Sequence, residues 1–318
     1  MSAKVSVIVP IYNTEPYIER CVRSLMEQTL NEVEYVFIND YSPDNSMTLL
    51  KSIICQYPKR IQDIKLIEHD TNKGVFCSKV EGMKSATGEF LAFCDSDDWM
   101  DADLLEKAYA QAMEKGSDVV VFDYQREFAE NSERYSRNFN DCQATDIVKH
   151  GYDNGFEWML PTFIMRNKRE AINRLTVFPE VKLWEDVYIS INMFMLLGKA
   201  SYLSGPCYHY NQTNQNSIVH NIDENRINDC IFIASELDKL LPKSPEFTLE
   251  RAWLKQFAKQ GLLSKGELRK WRDTFKDSNK HLLCMKNWGF CYCFLLLMAA
   301  YHITIPFKLS QWLWHKIK

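Results

Sequence analysis

Three groups of carboxylates in this chain have the spacing to do chemistry. In "FLAFCDSDDWM" an apolar run ends in Asp95, Ser96, Asp97 and Asp98, three acids within four residues. Such acids repel one another and cannot all stay ionised in a dry site, so a positive group is expected beside them. Strand alternation puts Asp95 and Asp97 on one face, which suits a hard divalent cation that also carries a phosphate ligand. The competing reading makes Asp97 or Asp98 a cap for the helix beginning near Asp101. In "FINDYSPDNS", Asp40, Ser42, Asp44 and Ser46 suit a plain turn or a buried carboxylate that accepts hydrogen bonds from a pyrimidine. In "WEDVY", Glu185 and Asp186 open a helix, where acids are common for electrostatic reasons alone.

The elements that must hold these groups follow from periodicity. Short apolar runs at Val5–Val9, Tyr35–Ile38, Ile64–Ile67, Phe90–Cys94 and Asp118–Asp123 read as strands. Between them, helical spacing appears at Glu15–Gln28, around Leu49–Ile54, at Val75–Ser85 and at Ala102–Met113. Strands alternating with helices predict an α/β layered, mainly parallel sheet whose ligands bind beyond the carboxyl ends of the strands. Residues 125 to 154 are polar without clear period and read as an excursion. Order returns near Phe163, with a helix over Glu185–Leu197 and a strand over Tyr202–Tyr210. A catalytic domain over 1–220 and a helical, basic appendage over 221–318 are expected.

Composition narrows the class. With 318 residues, 46% hydrophobic and 25% charged, the chain is globular rather than disordered or fibrous. Ten cysteines without a CxxC pair argue for reduced thiols rather than zinc or a disulfide scaffold. The opening "MSAKVSVIVPIYN" has no basic n-region or cleavage site, so a cytoplasmic location is expected. No GxGxxG, P-loop, HExxH or Ser-His-Asp signature is present.

The net charge of −4 conceals a pattern. From Arg251 onward there are 13 Lys or Arg against 3 acids, a balance of +10 that leaves −14 for residues 1–250. Lys255, Lys259, Lys265, Arg269, Lys270, Arg272, Lys276 and Lys280 alternate with Trp253, Phe257, Leu262 and Trp271, which predicts basic amphipathic helices on an anionic membrane surface. No nucleic-acid motif accompanies the charge, so nucleic acid is not expected as a partner. Residues 288–307 carry no Lys, Arg, Asp or Glu. They suit shallow interfacial insertion, a buried or homodimer contact, or a membrane span. Lys308, Trp312, Trp314, Lys316 and Lys318 continue in a composition typical of the headgroup zone.

"VSVIVPIYN", the aspartate-rich turn and "NKGVFCSKVEGMKSATGEFLAFCDSDDW" together resemble the inverting family-2 glycosyltransferases with the GT-A fold, strongly over residues 4–125 and loosely over 160–220. The resemblance implies a Rossmann-like, mixed, mainly parallel sheet flanked by helices. It implies that Pro10, Tyr12 and Glu15 meet the nucleotide and that Asp40 binds uracil. Asp95, with Ser96, and Asp97 match the DxD motif that engages ribose and a Mn2+ or Mg2+ ion. Asp186 matches the general base. Where the family has DDGS, this chain has Asn39, Asp40, Tyr41 and Ser42; where it has Arg-Asn, this chain has Lys79 and Val80. Lys79 retains a point charge for a phosphate without bidentate geometry.

The function implied is transfer of a hexose or N-acetylhexosamine from a nucleotide sugar, UDP-linked, to a glycan or lipid-linked glycan. The enzyme would sit peripherally on the inner face of the cell membrane. The altered second and third motifs also admit a non-catalytic nucleotide-sugar-binding or scaffold protein. Trp99 suits sugar stacking or a wall of the core, His209 a metal contact or a structural role, and Ser217 a loop that closes over the donor.

Overall fold

A computed structural model describes residues 3–137, 139–154, 156–214, 223–285, 288–304 and 307. The chain divides into two compact units, one of Met1–Thr145 with Trp158–His220 and one of Asp146–Glu157 with Asn221–Lys318. Residues 146–157 thus cluster with the carboxyl-terminal part of the chain rather than with the sheet that precedes them.

The first unit is built on a ten-stranded sheet. Its strands are β1 (Val5–Ile11), β2 (Val33–Asn39), β3 (Ile64–Glu68), β4 (Phe90–Phe93), β5 (Trp99–Met100), β6 (Val119–Glu127), β7 (Ser132–Tyr135), β8 (Cys142–Gln143), β9 (Phe163–Arg166) and β10 (Lys199–Asn211). The order is β3-β2-β1-β4-β9-β6-β10-β5, with β7 on β6 and β8 on β10. β1 pairs in parallel with β2 and β4, and β2 with β3. β9 enters antiparallel between β4 and β6, and β10 runs parallel to β6. The sheet is therefore mixed and mostly parallel through its first half, as alternating strands and helices require. The stretch 125–154 is not an irregular excursion. It holds the end of β6, a hairpin to β7, β8 and a helix over Ala144–Asn154. β7 is mostly exposed and carries little apolar period, which is why periodicity passes over it.

Helices α1 (Ile18–Met26), α2 (Ser46–Ile54), α3 (Val75–Ser85) and α4 (Leu104–Lys115) separate the early strands, followed by α5 (Ala144–Asn154), α6 (Arg169–Arg174) and α7 (Glu185–Phe194). Every residue of β1 and β4 is buried, so these strands are covered on both faces. α3 lies so close to β1 that a Cβ at Gly82 would come within 2.5 Å of Ile8 Cγ2. Gly88, just before β4, is tighter against main chain: a Cβ there would meet Ser6 N at 2.6 Å and the Val5 carbonyl carbon at 2.8 Å. Backbone cannot swing aside like a side chain, so Gly88→Ala is expected to lower stability by about 2 kcal/mol in equilibrium denaturation.

The second unit holds α8 (Glu224–Leu240), α9 (Thr248–Ala258), α10 (Gln260–Ser264), α11 (Leu268–Asp273) and α12 (Phe290–Ala300); α8, α10, α11 and α12 pack around Trp271, Leu262, Leu282 and Leu296, and α9 sets Ala252 against Met285 and Cys293. The expected basic amphipathic surface is only partly present. Lys255 is buried against Asp238 (3.0 Å) and Asp277 (2.8 Å). Lys259 is fully buried and donates to the Thr274 carbonyl (2.8 Å) and Asn279 Oδ1 (2.6 Å). Burial pushes the Lys259 ammonium down to about 7. Among the described residues no helix is long and apolar enough to cross a membrane. Within 288–307 the helix is α12, eleven residues long, with Cys293, Leu296, Ala299 and Ala300 buried. Lys308, Trp312, Trp314, Lys316 and Lys318 lie outside the described residues.

Candidate active site

The carboxyl ends of β1, β2 and β4 open on one side of the sheet because the three strands are parallel. The loops after β1 and β2 are tied to each other. Asn13 N–H donates to Ser42 Oγ (2.8 Å), Thr14 N–H to Ser46 Oγ (3.1 Å) and Glu15 N–H to Asp44 Oδ2 (2.8 Å). The Glu15 carboxylate in return accepts from the Asn45 main chain (3.0 Å) and side chain (3.1 Å). Glu15 thus serves the loops in this structure, while Tyr12 at the end of β1 is 50% exposed and Pro10 is buried within the strand.

Asp40, at the end of β2, is buried. Its Oδ1 accepts from Lys73 N–H (2.7 Å) and lies 2.8 Å from His69 Nδ1, and its Oδ2 accepts from Gly74 N–H (2.9 Å). Those amides lead into α3, where a carboxylate is favoured by the helix dipole. A carboxylate has about four acceptor positions, so one remains after these three contacts. Tyr41 beside it is exposed with φ +59°.

The segment after β4 alternates as expected. Ser96 and Asp98 are buried, whereas Asp95, Asp97 and Trp99 are half-buried. Asp98 caps no helix. It accepts from Tyr208 Oη and from Asn211 N–H (2.8 Å) of β10, and burial beside Asp97 and Asp95 raises its carboxyl well above the usual range. Asp97 Oδ2 accepts from Asn214 Nδ2 (2.8 Å), and burial raises this carboxyl too. Helix α4 begins after Asp103 with no side-chain cap at all. The capping reading of Asp97 and Asp98 therefore fails.

Of the three acids, Asp95 meets a positive group, Lys79 of α3. Only 2% of its side chain is exposed. Its Nζ lies 2.6 Å from Asp186 Oδ1, 3.0 Å from Glu185 Oε1 and 3.6 Å from Asp95 Oδ1. Burial alone would lower this ammonium, but the attraction of Asp186, Asp95 and Glu185 prevails and holds it well above its ordinary value. The ammonium faces carboxylates rather than an open phosphate position. Three acids around one cation leave excess negative charge, and Asp186 reflects it. Burial pushes the Asp186 carboxyl up to about 7, with Lys79 pulling against the rise and Glu185 and Asp95 adding to it. One Asp186 oxygen also accepts from Leu160 N–H (3.4 Å), and 20% of the side chain remains exposed. Trp184, immediately before this helix, adopts φ +74°, a left-handed conformation unusual for a bulky residue.

Trp99 and His209 resolve towards the wall of the site. Their rings stack at 5.0 Å, and the Arg20 guanidinium sits 3.3 Å from the Trp99 ring centre. His209 Nδ1 and Nε2 contact Glu127 (2.7 Å) and Asp101 (3.0 Å). Ser217 lies outside the described residues. Asn214, His69 and Tyr208 join the site without a local sequence signal, since each meets its partner through the tertiary fold.

Among the described residues no group of three or more His, Cys, Asp or Glu could hold a metal ion by itself. Asp97 has a second oxygen beyond the one bonded to Asn214, and Asp95 is 34% exposed. A Mg2+-type cation is usually held by one or two carboxylates with substrate phosphates completing its shell, so this donor set fits such an ion only together with a diphosphate.

EpsH of Bacillus subtilis, which bears a glycosyltransferase name, is 32% identical over 216 residues, 65% of this chain and 60% of that protein. EpsJ of the same organism is 27% identical over 220 residues, 67% of this chain and 62% of that protein. The matched stretch thus spans about three fifths of the length of these curated relatives. TarS 1-349 of S. aureus, solved in complex with UDP-GlcNAc, superposes with a TM-score of 0.72 at 24% identity, covering 95% of this chain and 88% of that one. That likeness shows the GT-A-like fold. A family model described as glycosyl transferase family 2 matches residues 6–207, and the chain belongs to that family.

Proposed function

We propose that the protein is a metal-dependent, inverting glycosyltransferase. It moves a hexose or N-acetylhexosamine from a UDP-linked sugar to a hydroxyl of a growing, lipid-linked surface glycan. The observation that carries this reading is the meeting of the segment after β4 with Asp186 around the buried Lys79 ammonium. Two motifs roughly ninety residues apart in sequence are brought within one side chain's reach at the carboxyl ends of the strands.

In this reading Asp97 holds a Mn2+ or Mg2+ ion beside Asp95, and that ion supplies charge neutralisation for the departing diphosphate. Asp186 takes the proton of the acceptor hydroxyl, on the face of the sugar opposite the leaving group, so a single displacement inverts the anomeric centre. Lys79 keeps the carboxylates together instead of binding phosphate directly. Tyr12 offers an exposed ring for the base, and Asp40 has one acceptor position left for it. The TarS complex with UDP-GlcNAc supports the choice of uridine. The second unit would hold the enzyme peripherally at the inner face of the membrane.

The test is a panel of nucleotide sugars with Mn2+, read by nucleoside diphosphate release and product identification. Binding without release from any donor would favour a non-catalytic binding protein. The protonation of Asp186 adds a signature. A base must be unprotonated, so kcat/KM is expected to fall as pH drops through about 7. A profile flat from pH 5 to 8, as expected of an ordinary surface carboxylate with a value of about 4, would remove Asp186 from the role.

A further inference from the structure

The second unit contains an open surface cavity of about 1020 Å³ between α11 and the chain that leaves α12, lined among others by Arg269, Lys270, Arg272, His302 and Thr304. Its charges sort unevenly. Lys270 is neutralised by Glu224 (2.9 Å) and Glu267 (3.3 Å). Arg269 and Arg272 have no ion pair among the described residues. Arg272 turns Nη1 towards His302 Nδ1, and its Nε is buried without a hydrogen-bond partner. A guanidinium has only donors, so Nδ1 must accept, and among the described residues no other side chain accepts from Arg272. Asp273 is the one acid of the lining not engaged by Lys270. The Nη donors left over on Arg272 and the unpaired guanidinium of Arg269 can hydrogen-bond an entering anion.

The surroundings are apolar. Tyr301 and Ile303, on either side of His302, are exposed, and α12 just before them exposes Phe290 (70%), Tyr292 and Phe294 while burying its opposite face. Soluble phosphate would need none of these side chains. A phosphate at the end of an acyl chain would use both parts.

We propose that this cavity is a phosphate-binding site that seats the headgroup of an anionic membrane lipid, with the exposed face of α12 against the acyl region. The assignment rests on the reading that the second unit meets a membrane. It adds a discrete site, centred on Arg272 and His302, to what would otherwise be diffuse attraction.

Full-length protein would be floated with phosphatidylcholine vesicles, alone or with one fifth phosphatidic acid, comparing wild type, Arg269→Gln/Arg272→Gln and Lys239→Gln/Lys243→Gln. The last pair removes the same charge from exposed positions elsewhere in the unit. Binding to anionic vesicles is expected to weaken at least about tenfold in the arginine variant and less than about threefold in the lysine variant. Equal losses in the two, or none in the arginine variant, would overturn the site while leaving membrane attachment standing. A wild type that never floats would overturn both. Competition by millimolar inorganic phosphate, with no preference for vesicles, would assign the cavity to a soluble anion and defeat the lipid assignment. If Arg272→Gln does not fold, Arg269→Gln combined with His302→Ala carries the same comparison, with melting temperature as the control.

Discussion

Replacing Asp186 by Asn is expected to lower acceptor-dependent transfer by roughly 10²–10⁴-fold, the usual contribution of a positioned general base. The amide keeps the size of the side chain but cannot take the acceptor proton. Lys79 keeps Glu185 at 3.0 Å and Asp95 at 3.6 Å as partners, so the variant should fold and bind donor. Donor affinity and melting temperature therefore serve as internal controls. Transfer at the wild-type rate would show that the proton leaves by another route.

The largest structural effect is expected at Lys79. Lys79→Met removes the one ammonium that Asp95, Glu185 and Asp186 share and leaves their charges uncompensated in a buried setting. Breaking a buried pair by deleting one partner costs about 3–5 kcal/mol. In a unit of this size that is a fall in melting temperature of roughly 10 °C. The deficit should depend on pH with a definite sign. With Lys79 gone, the Asp186 carboxyl, already up at about 7, loses the attraction that pulls it down, so its folded-state value rises further above the unfolded one and protonation favours the fold. Stability is then retained at acidic pH and lost as pH rises through the raised value. Thermal denaturation at pH 5 and pH 8 would show it, and a variant that melts with wild type at pH 8 would contradict the shared-cation account.

Much of the first unit is legible in the sequence because its strands are short apolar runs set between periodic helices. Val75–Ser85 is read to the residue, and the alternation from Asp95 to Trp99 appears as the predicted one-sided exposure. The insertion of β9 between β4 and β6 is not legible, since four residues carry no record of their sheet neighbours. Lys79 illustrates the limit most clearly. The family resemblance gives it a phosphate to hold, but its contacts are made with residues 106 and 107 positions away, and only the packing of α3 against α7 decides what its ammonium meets. In the second unit, helical spacing sends Lys255 and Lys259 to solvent. Asp238, Asp277 and Asn279 supply the polar partners that bring them inside instead.

The hydrogen bonds between the loops after β1 and β2 have a consequence for the kinetics of association. Asn13, Thr14 and Glu15 are held by Ser42, Asp44, Asn45 and Ser46 with no ligand present. The conformational entropy of this rim is thus surrendered during folding rather than on encounter. A nucleotide arriving there meets a surface already in shape, and the rate of its capture should follow diffusion and charge rather than the closing of these two loops.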